Sequence, residues 1–176
     1  MTTLITILFV FLGIIALLLF VAFFTRKAYN VHREVIIKAP LNKVFDYVKF
    51  LKNQDNYNKW VMTDPTMKKN FKGIDGTVGF TYGWNGNNKA GEGEQEITNI
   101  IEGKLIESEI RFVRPFVSIA HATMTVDTHY EDQTRISWSN TSEMKYPLNI
   151  MVSMIEKMLE KDMDESLSML KNILEK

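Results

Sequence analysis

Apolar and polar residues follow three different rhythms along this chain, and each predicts a different kind of element. The first is no rhythm at all. Leu4–Phe24 is apolar throughout, with no charge and only Thr6 as a polar member. As a helix rising about 1.5 Å per residue, it is roughly 30 Å long, the thickness of a bilayer's hydrocarbon core. The second rhythm alternates with period two, as expected of strands with one buried face. Val31–Lys38 is the first such strand. Met67–Phe71 is a weak one, and Thr77–Trp84 a clear one, with Val78, Phe80, Tyr82 and Trp84 on one side. Glu92–Ile101 follows the turn Asn85-Gly86-Asn87-Asn88. Lys104–Val113 directs Ile106, Ser108, Ile110 and Phe112 inward, with Glu107, Glu109 and Arg111 outward. Ser118–Tyr130 directs Ala120, Ala122, Met124 and Val126 inward, and Thr134–Thr141 does the same with Ile136 and Trp138.

The third rhythm is helical. Leu41–Phe50 places Leu41, Val44, Phe45 and Val48 on one side, after Pro40 at the first helical position. The polar stretch Lys52–Lys59 allows a second short helix. A long helix from about Leu148 to Leu174 carries the stripe Met151, Val152, Ile155, Met158, Leu159, Met163, Leu167 and Leu170. The order is strand, short helices, about six successive antiparallel strands, long helix. This is an α+β domain in which a curved sheet needs a cover, and the C-terminal helix is the element large enough to supply it. Two units are expected, an anchor over residues 1–27 and a folded domain over residues 31–176.

Charge refines the picture of the apolar run. A secretory signal would carry basic residues before a shorter apolar core. Here no Lys or Arg precedes the run, while Arg26, Lys27, Arg33 and Lys38 follow it. A retained transmembrane helix is the expectation, with the C-terminal domain on the cytoplasmic side. Lys plus Arg and Asp plus Glu balance at 21 each, and no basic block interleaves with aromatics, so nucleic acid is not an expected partner. The absence of cysteine removes thiolate chemistry and cysteine-ligated metal.

Candidate chemistry is sparse. His32, His121 and His129 lack metal-ligand spacing, and no cofactor or metal site is expected. Glu92, Glu94 and Glu96 share a strand face that the alternation sends outward, as it does Glu107 and Glu109. The glycines between Gly73 and Gly93 do not open onto a helix N-terminus, and they suit turns and bends rather than a phosphate loop. What remains is an apolar inner face. The expected pocket residues are Phe80, Tyr82, Trp84, Ile110, Phe112, Met124 and Trp138 from the sheet, faced by Met151, Ile155 and Met158 from the helix. Ala120 and Ala122 leave room among them. Tyr82, Gln95, Ser108 and Asn140 are the inward polar groups, either orienting a ligand or hydrogen-bonded within the core. Six of the ten methionines lie at or after Met144, and methionine suits surfaces that adapt to varied apolar partners.

Two motifs carry a resemblance. Ile36-Ile37-Lys38-Ala39-Pro40 followed by Lys43-Val44-Phe45-Asp46-Tyr47-Val48 resembles the opening of the SRPBCC superfamily. Gly91-Glu92-Gly93-Glu94-Gln95-Glu96-Ile97, then Gly103-Lys104-Leu105-Ile106, resembles its central hairpin. The superfamily includes polyketide cyclase-like proteins, START-type lipid-transfer domains, birch-pollen-allergen-like proteins and heat-shock ATPase activator homologues. The resemblance implies a helix-grip fold of six to seven strands around the C-terminal helix and a pocket between them. It implies no catalytic residue, because relatives share a pocket and not a reaction. Three functions follow as expectations. The first is a membrane-tethered binder or carrier of a hydrophobic small molecule of the lipid, quinone or isoprenoid class. The second is a cyclase- or aromatase-like enzyme, which would need an inward carboxylate or histidine. The third is a protein-interaction module with a filled core.

Overall fold

A computed structural model of the chain describes residues 2–176. Helix α1 (Thr2–Phe24) projects from the rest of the molecule, with only Ala22 of its apolar side chains buried. Its segment Thr3–Phe24 is the one helix among the described residues long and apolar enough to cross a membrane. Strand β1 (Ala28–Ile37) follows directly after Thr25–Lys27. It begins three residues before the expected start at Val31, because Tyr29 extends the buried face of Val31 and Ile37 and pairs with Ser142. The join between α1 and the sheet is therefore only Thr25–Lys27.

Helix α2 (Leu41–Val48) buries Val44, Phe45 and Val48, with Pro40 just outside its first turn rather than inside it. The polar stretch forms a 3-10 turn, Leu51–Asn56, and then α3 (Lys59–Met62), which starts where the Asn58 side chain accepts a hydrogen bond from the Trp60 N–H at 3.0 Å. Six strands follow: β2 (Lys68–Lys72), β3 (Thr81–Asn85), β4 (Glu92–Ile101), β5 (Leu105–Arg114), β6 (Ser118–Tyr130) and β7 (Gln133–Glu143). A second 3-10 turn, Leu148–Met151, leads into α4 (Val152–Leu174). The seven strands make one antiparallel sheet in the order β1-β7-β6-β5-β4-β3-β2. First and last strands pair, and the short helices carry the chain from that edge to β2 at the other.

The expected strand Thr77–Trp84 is half turn. Gly79 has φ +86°, a left-handed conformation that ends any strand at that point, and Val78 before it is 59% exposed rather than inward. β3 starts only at Thr81, while Phe80 reaches the core from the turn.

The core is α4 and α2 against the inner face of the sheet. Met163, Ser166, Leu167, Leu170 and Leu174 are buried along the C-terminal half of α4; Val152 and Leu159 are buried in its first half. Met158, expected on that stripe, is 52% exposed. The next residue, Leu159, takes the inward position, and adjacent helical residues point about 100° apart. Ion pairs fix the direction of α4. Arg26 pairs with Glu156, Arg33 with Glu160 at 3.1 Å and Asp164 at 3.2 Å, and the Lys43 ammonium donates to the Leu174 carbonyl at 2.7 Å. The helix therefore runs alongside β1 in the same direction, its first turns at the end of the sheet where α1 leaves.

Candidate ligand site

Inner-face residues of four strands meet α2 and the first 3-10 turn around a void of about 20 Å³. Its lining is Val48, Leu51 and Gln54 from the helical side, and Gln95, Ile106, Ser108, Ala122, Met124 and Trp138 from β4 to β7. The register explains the gap: Ser108 pairs with Ala122, two small inward residues side by side, below the larger row Ile106, Met124 and Trp138. A void of this size holds about one water molecule. A drug-sized ligand needs roughly 300–1,000 Å³. The core is therefore closed as it stands.

A polar chain crosses this closed core. The Gln95 amide donates to Ser108 Oγ at 2.7 Å, the Gln54 amide donates to Gln95 Oε1 at 3.2 Å, and the Asn58 amide donates to Gln54 Oε1 at 2.9 Å. It ties sheet to cover and gives each buried amide a partner. Close by, Trp138 meets Trp60 edge to face at 5.7 Å, and Trp60 Nε1 donates to Asp162 of α4 at 3.0 Å.

The expected pocket residues divide into three groups. Gln95, Ser108, Met124 and Trp138 border the void. Phe80, Tyr82 and Asn140 are buried elsewhere and engaged: Phe80 stacks on Phe71, the Tyr82 hydroxyl donates to Asp55 Oδ1 at 2.6 Å, and Asn140 accepts from the Tyr29 hydroxyl at 3.2 Å. Trp84, Ile110, Phe112, Met151 and Ile155 are half-buried, and Met158 points outward. No α4 side chain borders the void. The expected gap between sheet and α4 lies instead under α2 and the 3-10 turn, because α4 lies along β1 and leaves the middle of the sheet to them.

The half-buried group has a common location. Phe112 pairs with Gly93 and Ser118, and Trp84 with Gly93, all at the end of the sheet from which α1 departs. Their rings meet edge to face at 5.9 Å, and Trp84 Nε1 donates to the Ala90 carbonyl at 3.1 Å. Gly93 makes this possible: a Cβ there would lie 2.7 Å from the Trp84 ring and 2.5 Å from the Arg111 carbonyl oxygen. The inner face is thus sealed in the middle and incompletely covered at the α1 end.

Sequence reasoning missed the helical side of this arrangement. Val48 appeared only as a helix residue, and Leu51, Gln54 and Asp55 fell in or beside a stretch read as polar. The Gln54/Asn58 spacing of four was the available signal. Asp55 also pairs with Lys69 at 2.7 Å. Burial, and then the bond to Asp55, push the Tyr82 hydroxyl well above its ordinary value, so it stays a protonated donor. Burial does the same to Tyr57, whose hydroxyl has no partner among the described residues.

The outward carboxylates form a surface network. Arg111 binds Glu94 at 2.8 Å, Glu96 at 2.6 Å and Glu109 at 2.7 Å, and Arg114 binds Glu92 at 3.0 Å. His121 is exposed on the same outer face.

Comparison with known proteins fits this architecture. No curated protein matches the chain significantly. Among solved structures, truncated norcoclaurine synthase from Thalictrum flavum superposes with a TM-score of 0.65 at 15% identity, covering 85% of this chain and 95% of that one. A protein from Chromobacterium violaceum gives 0.60 at 12%, covering 85% and 98%. The Aha1 dimer from Colwellia psychrerythraea gives 0.57 at 18%, covering 84% and 96%. At these identities the likeness establishes the helix-grip fold. A family model for polyketide cyclase / dehydrase and lipid transport matches residues 28–175. With the strand order, the C-terminal helix and the inner face described above, that match over nearly the whole folded domain shows that the chain belongs to the polyketide cyclase / dehydrase and lipid transport family, within the SRPBCC superfamily.

Proposed function

We propose that this protein is a membrane-tethered binding or carrier domain for a hydrophobic small molecule of the lipid, quinone or isoprenoid class. In this reading α1 spans the bilayer, the folded domain lies on the cytoplasmic side, and the ligand enters the grip at the end facing the membrane. One observation carries the reading. The apolar inner face is sealed in its middle but half-covered at Trp84, Ile110 and Phe112, at the end where α1 leaves. Tethering would keep that mouth beside a reservoir of apolar molecules and raise their effective concentration.

The site must open to be used, since about 20 Å³ cannot hold such a molecule. The half-buried Met151 and Ile155, with exposed Met154 and Met158, make the first half of α4 the adaptable wall. The ligand's apolar body would displace that wall, and the chain Ser108–Gln95–Gln54 would meet any polar end. The test is native mass spectrometry and solvent extraction of the full chain purified in nanodiscs. A defined co-purifying lipid or quinone, with amide hydrogen exchange slowed over residues 151–158, supports the proposal. A clean unliganded mass, with no stabilisation by a panel of lipids and quinones, refutes it and favours the interaction module.

A further inference from the structure

We infer that the folded domain carries its own bilayer-contact surface, formed by the loop Tyr146–Ile150 and the β5–β6 hairpin tip Phe116–Val117. The inference rests on α1 spanning the membrane, and holds whether or not the domain carries a ligand.

The loop is the first part of the surface. After β7 the chain climbs back along α1 instead of turning straight into α4. The Tyr146 hydroxyl donates to the Leu19 carbonyl at 3.3 Å, and the Asn149 amide donates to the carbonyls of Ala22 at 2.6 Å and Thr25 at 2.9 Å. Asn149 is fully buried, and its amide bonds one carbonyl in the last turn of α1 and one just past the helix end. From Leu19 to Thr25 the contact covers about 9 Å of helix. Beside it lies an apolar cleft of about 250 Å³, lined by Ile15, Leu18 and Leu19 of α1 and by Pro147, Leu148 and Ile150. Ile15 is about 14 Å of helix above Phe24. If α1 crosses the bilayer, this cleft lies at the depth of the acyl chains, the occupant its lining suits.

The hairpin tip is the second part. Tyr29, Ser142 and Ala120 are level with one another across β1, β7 and β6, so the turn before β6 points to the same end as α1. It stands two strands away, about 10 Å at the usual spacing. Val117 is 87% exposed, and Phe116, Val113 and Ile119 around it are exposed as well. An apolar cluster of this kind marks a contact surface. Charge agrees with a lipid headgroup layer. Lys27, Lys89 and Lys145 are exposed at this end and enter no ion pair among the described residues, with Glu143 the exposed carboxylate beside them. The turns at the opposite end carry Glu131 and Asp132 together with exposed Lys38 and Lys104, and Glu102 there is paired with Lys49 at 2.8 Å. The unpaired lysines at the α1 end suit an anionic membrane surface.

The chain has no cysteine, so single cysteines report cleanly. Val117→Cys, Leu148→Cys, Asp132→Cys and Leu12→Cys would each be placed in the full chain and labelled with an environment-sensitive fluorophore. Each would be reconstituted into phosphatidylcholine–phosphatidylglycerol vesicles carrying nitroxides at shallow or deep acyl positions. The expected result is blue-shifted emission at positions 117 and 148, quenched by the shallow nitroxide. Position 132 should stay water-exposed and position 12 should be quenched by the deep nitroxide. Position 117 as unquenched as position 132, with position 12 still quenched, overturns the inference and leaves the anchor intact. Blue-shifted but unquenched emission at position 117 means a second copy of the chain covers the tip, which also overturns it. An unquenched position 12 overturns the anchor itself.

Discussion

Met124→Ala tests whether the middle of the inner face is packed or hollow, on which any account of ligand entry depends. Met124 is 9% exposed, stands level with Ile106 and Trp138 on the neighbouring strands, and borders the 20 Å³ void. The substitution deletes three heavy atoms. At about 0.8 kcal/mol for each buried methylene-sized group, their lost transfer energy is about 2.4 kcal/mol. The added cavity raises the total to about 3–4 kcal/mol, within the range for methionine-to-alanine changes in cores. For a chain of this size that corresponds to a fall in Tm of roughly 6–16 °C. Differential scanning calorimetry or urea unfolding of the full chain in nanodiscs measures it. The enlarged cavity should also admit a small aromatic such as benzene, which would restore part of the loss. A loss under about 1 kcal/mol would mean that Met124 faces a chamber already filled with solvent, and the closed core described here would be wrong.

Three further outcomes follow from the same geometry. Gly93→Ala should cost about 1–3 kcal/mol by overpacking and shift the tryptophan emission, because the new methyl group must displace the Trp84 ring; an unchanged spectrum would place Trp84 elsewhere. Alkaline stability should fall above pH 10. Burial raises Tyr29, Tyr57 and Tyr82 above the ordinary 10.0, so beyond that pH the unfolded chain loses protons that the folded chain keeps, and each tyrosine removes up to about 1.4 kcal/mol per pH unit. Phenolate absorbance followed beside circular dichroism should show these three ionising only with unfolding. Tyr57→Phe should stabilise the protein by about 1 kcal/mol, since its hydroxyl is buried without a partner among the described residues.

What the sequence made legible depended on how local the cause was. Alternation on β5, β6 and β7 placed Ile106, Ser108, Ala122, Met124 and Trp138 on one face, and they do line one void, because pleating alone dictates side. The same rule failed at Val78, where the period ran on through a left-handed glycine that breaks the strand. Met158 and Leu159 are both apolar and adjacent, so periodicity could not choose between them, whereas packing did. The cover over the void was least legible. Gln54 and Asp55 belong to a polar stretch, and their partners Gln95 and Tyr82 lie more than 25 residues away on strands. Inward facing is a property of one element; which element lies opposite is a property of the whole fold.

The two halves of α4 bear on how a closed core and an apolar mouth coexist. The C-terminal half is locked by Met163, Ser166, Leu167, Leu170 and Leu174, all buried, and by the Lys43 bond to Leu174. The first half buries only Val152 and Leu159, and exposes Met154 and Met158. Displacing the first half therefore sacrifices much less apolar burial, and local opening follows the least-buried segment. That half begins beside the loop that Asn149 and Tyr146 fasten to α1. A bilayer pressing on the loop and an apolar molecule entering at Phe112 would then act on the same end of the same helix. In this reading the hydrogen bonds of Asn149 hold the movable wall of the grip in register with the anchor, so that the grip opens where its ligand is dissolved.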